Sequence, residues 1–204
     1  MKKLICLIVA VVAGMAAFAQ TPKEIVARMD AETTAREAEG YSMQIDIKMP
    51  ILGTMPSKAW NLGDKTRLEA TMMGVTVITW SDGVTSWTYT EKTNEIEIKP
   101  DDPSDNDSDL SVIDDLDGYD ISLAKQTDKT WTIRCKKNSK NTDKDAPKNI
   151  EMEIEKATYM PVSITAKASG VTMIMRDIHF GGVTEAQVTF RPSDYPNATV
   201  KDLR

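Results

Sequence analysis

Tyr41-Ser42-Met43-Gln44-Ile45-Asp46-Ile47-Lys48-Met49 alternates apolar and polar side chains along its whole length. Successive side chains of a strand point to opposite faces, so Tyr41, Met43, Ile45, Ile47 and Met49 share one face while Ser42, Gln44, Asp46 and Lys48 share the other. This is a strand with one wet face. The same period returns in Ile150-Glu151-Met152-Glu153-Ile154-Glu155, where three carboxylates on alternate positions must face water and three apolar residues must face something dry.

Working outward, two-residue periods also run over 66–72, 75–81, 85–90, 95–98, 121–124, 130–136, 162–168, 171–180 and 187–190. Turn signals such as Gly63-Asp64, Asp82-Gly83 and Thr93-Asn94 separate them, which predicts about eleven short antiparallel strands in one meander. Ahead of the meander, residues 22–39 are good helix formers. Thr21 and Pro22 suit the cap and first turn, Ile25, Val26 and Met29 form an apolar stripe, and Gly40 stops the run. With one long helix to cover so much sheet, the fold class is α+β, mainly β: a strongly curved sheet wrapped around the N-terminal helix, with some apolar surface left unfilled. A two-sheet sandwich is the rival architecture.

Two segments break the period. Residues 100–109 carry five aspartates and feed a short helix over 110–116, whose apolar residues are Leu110, Val112, Ile113 and Leu116. Residues 137–148 are polar and of mixed charge, and read as a long hairpin loop.

Lys2 and Lys3 precede an apolar run from Leu4 to Ala16, and Ala17-Phe18-Ala19 is the small-x-small pattern cut by signal peptidase. The expectation is export, with residues 1–19 cleaved after Ala19 and residues 20–204 forming a single domain. Removing the leader, which carries two lysines, leaves 185 residues at a formal charge of −8. That acidity excludes a nucleic-acid binder, whose affinity rests on a concentrated basic surface.

The inventory for chemistry is thin. Asp105-Asn106-Asp107-Ser108-Asp109 has the alternating acids of a calcium loop, but Leu110 stands where that loop needs glycine and no bidentate glutamate follows in register. His179 is the single imidazole and falls on the polar side of a strand, without a nucleophile motif beside it. The paired carboxylates, Asp114-Asp115 and Glu151/Glu153, lie on faces that read as exposed, not in a cleft. Cys135 alternates with Trp131 and Ile133 and reads as a buried apolar thiol. We therefore expect no catalytic residues, no metal and no cofactor: a binding protein and not an enzyme, with a secreted hydrolase as the least supported reading.

Methionine is the informative residue. Ten remain after the leader, against two phenylalanines, and methionine suits surfaces that accommodate variable apolar partners. An ordinary methionine-filled core is the bland alternative.

Asp64-Lys65-Thr66-Arg67-Leu68-Glu69, then Ser81-Asp82-Gly83-Val84-Thr85-Ser86-Trp87-Thr88-Tyr89 and Asn94-Glu95-Ile96-Glu97-Ile98, resembles the signature block of the periplasmic lipoprotein carrier family, LolA. Val188-Thr189-Phe190-Arg191-Pro192 with Tyr195-Pro196-Asn197 resembles that family's closing strand and its ending. The resemblance implies an unclosed, half β-barrel of about eleven antiparallel strands, with helices as a lid over an apolar cavity for lipoprotein acyl chains. It implies a monomeric carrier that binds lipoprotein acyl chains or other lipids, takes them from an inner-membrane donor and delivers them to an outer-membrane acceptor. Combined with the alternation, it nominates Ile25, Met29, Met43, Ile45, Ile47, Met49, Val75, Val77, Trp87, Tyr89, Ile150, Met152, Ile154 and Met173 as the cavity lining, and Leu110, Ile113 and Leu116 as the lid. The family's lid-latching arginine follows a strand ending in tryptophan; the corresponding stretch, Trp60-Asn61-Leu62-Gly63-Asp64, has none, and Arg67 is the nearest. The alternative on the same half-barrel is an envelope protein-interaction or stress-sensing module.

Overall fold

The structure, a computed structural model, describes residues 20–102 and 116–204. Helix α1 spans Pro22–Arg36 and continues as a 3-10 turn over Glu37–Glu39. Its start is fixed as the sequence suggests: the Thr21 hydroxyl accepts from the Glu24 amide at 3.2 Å, and the Thr21 amide donates to the Glu24 carboxylate at 2.8 Å. This reciprocal pair satisfies two donors that a helix N-terminus otherwise leaves without partners. Gly40 ends the run at φ +71, and a Cβ there would lie 2.7 Å from the Asn61 carbonyl oxygen, so both the torsion and the close approach require glycine.

Among the described residues the strands are β1 Tyr41–Met49, β2 Gly53–Leu62, β3 Lys65–Met72, β4 Val75–Ser81, β5 Thr85–Thr90, β6 Glu95–Pro100, β7 Tyr119–Gln126, β8 Thr130–Lys137, β9 Asn149–Glu155, β10 Pro161–Ala168, β11 Val171–Phe180 and β12 Thr199–Asp202. They form one sheet in the order β12-β6-β5-β4-β3-β2-β1-β11-β10-β9-β8-β7. Every neighbouring pair is antiparallel except β12 and β6, which run parallel. The first and last strands of that order are not paired to each other, so the sheet is unclosed, and α1 packs on one face. This is the mainly β, half-barrel class expected; the two-sheet sandwich is excluded.

The register traces one face from end to end. Ile133, Met152, Ile164, Met175, Ile45, Ser57, Ala70, Val77 and Thr90 stand successively opposite one another across β8, β9, β10, β11, β1, β2, β3, β4 and β5. We call this the inner face. Over β8, β9, β10, β11 and β1 it is closed by α1, whose Ile25, Val26 and Met29 are buried in one cluster with Met43, Ile45, Ile133, Cys135, Ile150, Met152, Ile154, Ile164 and Met175. The burial of β9 alternates as its three glutamates require.

The structure departs from the sequence pattern at three places. Residues 187–190 are not a strand: Glu185–Val188 is a short helix, α2, begun by a Thr184/Gln187 capping box, and the chain beyond it crosses the outer face. Strand β2 has no clean period because Gly53 and Pro56 interrupt it; β3 pairs with β2 only over Ser57–Leu62, so Pro56 lies beyond the paired stretch on that side, where its missing N–H is tolerated. Strand β12 is a four-residue exposed segment that no burial pattern marks. The residues expected as a lid fall differently: Leu110 and Ile113 lie outside the described residues, as do the acidic run 105–109 and the leader 1–19, while Leu116 opens a 3-10 turn over Leu116–Gly118.

Candidate functional site

Opposite the inner face, β2, β4, β5 and β6 carry a second apolar surface, with Arg67 of β3 set into it. Trp60, Arg67, Trp80, Trp87 and Ile98 form one row of it, and Ile78, Tyr89 and Ile96 the next. The chain after α2 covers this surface. Phe190 lies 5.4 Å from Trp80 and 5.5 Å from Trp87 between ring centroids, and Tyr195 lies 4.4 Å from Tyr89 and 5.7 Å from Trp80. Val188 is buried with them. Arg67 sits over the rings of Trp60 and Trp80 at 5.1 and 5.6 Å, ion-pairs with Glu69 and donates to the Gln187 carbonyl at 3.4 Å. The arginine that the sequence places too late after Trp60 is thus directly opposite it across the β2–β3 ladder, and it holds the C-terminal chain on the outer face.

The fourteen residues nominated from sequence therefore divide into three sets. Ile25, Met29, Met43, Ile45, Ile150, Met152 and Ile154 come together, but as fully packed core under α1. Trp87 and Tyr89 do not join them: they point to the outer face, beneath Phe190 and Tyr195, because the continuation of one strand face from β1 to β5 puts Thr88 and Thr90, not the aromatics, inside. Ile47, Met49, Val75, Val77 and Met173 share the inner face and remain partly exposed.

Those five are completed by residues that were not nominated. Met55 stands opposite Ile47, Ala70 opposite Val77, and Met72 opposite Val75; Leu68 lies between Ala59 and Thr79. The alternation of Leu68, Ala70 and Met72 against Arg67, Glu69 and Thr71 is a sequence signal for three of them. Met55 has no such signal, being on the strand that Gly53 and Pro56 obscure. Together these residues make an apolar strip on the inner face between the α1-covered core and a threonine margin of Thr79, Thr88 and Thr90. Beyond the margin the face turns ionic, with Lys201 bonded to Glu95 at 2.6 Å and Lys99 paired with Glu97. The Lys201 ammonium holds the Glu95 carboxyl below the usual carboxylate range. Within the strip the Ser57 hydroxyl is buried without a hydrogen-bond partner among the described residues.

An apolar strip left in contact with water is a standing gain for any ligand that dries it, at about 25 cal/mol per Å² of apolar surface removed. Unbranched methionine side chains, here Met49, Met55, Met72 and Met173, suit a surface that adapts to flexible occupants. Nothing in the strip is a nucleophile with an activating base. Among the described residues no group of three metal-ligating side chains occurs, and His179 is exposed on the outer face opposite Ser42. Cys135 is fully buried, and burial pushes its thiol up to about 12. The outer face of β7–β10 is polar, with a groove lined by Lys125, Arg134, Glu151, Glu153 and Thr165 and an Arg134–Glu151 pair at 2.9 Å.

No family model and no curated protein matches this chain. Solved structures do. An uncharacterised conserved protein from Thermus thermophilus is similar over 90% of this chain and 99% of its own, at 16% identity and a TM-score of 0.53, which shows the fold. Others include the Pseudomonas aeruginosa MucA/MucB complex, at 12% identity over 84% of this chain and 61% of that one, TM-score 0.44. A LolA superfamily protein from Nitrosomonas europaea matches at 10% identity over 84% of this chain and 99% of that one, TM-score 0.33. Among the described residues no helix is long and apolar enough to cross a membrane.

Proposed function

We propose that this protein is a periplasmic carrier that shields the acyl chains of lipoproteins, or of another lipid, against the open strip of its inner face and delivers them towards the outer membrane. The observation that carries the reading is the division of one continuous face. Where α1 covers it the side chains are packed to exclusion of water; from Ile47 and Met173, which border that core, through Met55, Ala70 and Val77 it carries partly exposed apolar side chains, with Ser57 the one buried polar residue among them. An acyl chain is the simplest occupant of a long apolar strip that offers few polar contacts, because each buried methylene contributes about 0.8 kcal/mol without demanding a partner. Binding alone is the activity: the carrier acts as a monomer, takes cargo from a donor at the inner membrane and passes it to an acceptor at the outer membrane, with no covalent step and no cofactor.

The test is equilibrium binding of an environment-sensitive fluorescent fatty acid. Binding abolished by Ala70→Glu and retained in Arg67→Gln, which alters only the outer face, supports the carrier. No saturable binding by the wild-type protein contradicts it and moves the assignment to a protein-interaction module on the same half-barrel.

A further inference from the structure

Antiparallel order places the β1–β2, β3–β4 and β10–β11 turns at one end of the sheet, on a contiguous set of strands. Turns need no apolar residues, and at the opposite end the β2–β3, β4–β5 and β7–β8 turns are built around Gly63-Asp64, Asp82-Gly83 and Asp128, with Val84 the exposed exception. At the first end the chain instead exposes Ile51 (95%), Leu52 (53%), Met72 (42%), Met73 (84%) and Val171 (36%). Met73 even occupies a left-handed conformation, φ +52, which asparagine or glycine adopts at less strain. The turn geometry does not ask for this methionine.

One residue in from these tips, on the outer face, a row of cations crosses the sheet. Lys48 on β1 and Lys167 on β10 both stand opposite Thr172 of β11, and Lys167 and Lys136 both stand opposite Asn149 of β9. All three are exposed, and none forms an ion pair with a described residue. Asp120, opposite Lys136, ends the row, and the loop beyond balances Lys140 and Lys144 with Asp143 and Asp145. In a protein of net charge −6, this is a local basic collar behind apolar points.

We infer that this end of the sheet docks on an anionic lipid bilayer, with Ile51, Leu52 and Met73 entering the interface and Lys48, Lys167 and Lys136 facing the headgroups. Narrow apolar tips suit a soft medium that closes around them, and the lysines supply the complementary charge. The inference is independent of what the inner strip holds.

The experiment is flotation of the chain beginning at Gln20, which contains the whole described fold, with vesicles of phosphatidylethanolamine and phosphatidylglycerol. Phosphatidylcholine vesicles serve as the neutral control. The protein should float with the anionic vesicles, less so at high salt. Ile51→Asp/Met73→Asp should lose at least about tenfold of the bound fraction, since each tip residue contributes apolar burial. Lys48→Glu/Lys167→Glu should lose binding to the anionic vesicles to a similar degree. Unchanged thermal midpoints exclude misfolding, because all four residues are exposed. Absence of flotation, or equal flotation of the tip variant, overturns the inference. So does self-association that the tip variant abolishes while vesicle binding stays absent, which assigns the tips to a second copy. The fatty-acid probe separates this from the carrier reading: a protein that floats without binding the probe keeps the docking surface and loses the cargo.

Discussion

Phe190 stacks on Trp87 with ring centroids 5.5 Å apart and planes 17° from parallel, on the side of the sheet away from Met43 and Ile45. The C-terminal chain is therefore a second covering element, and strand β4 carries apolar side chains on both faces, Val75 and Val77 on one and Ile78 and Trp80 on the other. One is covered by residues 185–195, and the other is the open strip.

This arrangement predicts that Phe190→Ala destabilises the protein by about 3 kcal/mol, the usual cost of removing an aromatic ring from a packed site. Denaturant unfolding measures it, and a red shift of native tryptophan emission should accompany it as Trp80 and Trp87 gain water. An unshifted spectrum would show that the aromatic cluster does not depend on the C-terminal chain.

Core and strip should separate under mutation. Met152, buried under α1, should cost about 2–5 kcal/mol on truncation to alanine while leaving fatty-acid binding per folded molecule unchanged. Val77→Glu, on the partly exposed strip, should cost about 1 kcal/mol or less and abolish binding. The reverse pattern would place the ligand beneath the helix.

Gly40→Ala should cost more than about 1 kcal/mol, because it adds a left-handed alanine and a Cβ that meets the Asn61 carbonyl at 2.7 Å. Thermal unfolding reads it; a neutral substitution would mean that the helix-to-sheet junction relaxes freely.

Burial raises the Cys135 thiol from its ordinary value of 9.0 to about 12. The folded state thus keeps a proton that the unfolded state releases, and stability falls as pH rises from about 9 towards 12, by up to about 1.4 kcal/mol per pH unit. Cys135→Ala should flatten that slope, and the native thiol should resist a thiol-specific reagent at pH 8 until the protein unfolds. Rapid modification of the folded protein would contradict its burial.

Legibility in the sequence follows the physics of each strand. β1 and β9 have one wet face, so alternation alone marks their extent and their inner residues. β4 has Val75, Val77 and Thr79 on one side and Ile78 and Trp80 on the other, and a strand covered on both faces carries no alternation to say which side holds a ligand. The aromatic pair Trp87 and Tyr89 reads as inward because nothing local reveals a covering chain a hundred residues away. That chain itself reads as a strand, since the Thr184/Gln187 cap is a weak signal beside the β-branched residues that follow.

The open strip of the inner face is proposed to hold acyl chains. Native mass spectrometry of the protein isolated from the cells that make it, followed by solvent extraction, is the test. Discrete added masses that extract as acylated peptides or phospholipids, and that are missing from the Val77→Glu protein, are the expected result. A single apo mass from both proteins would contradict it.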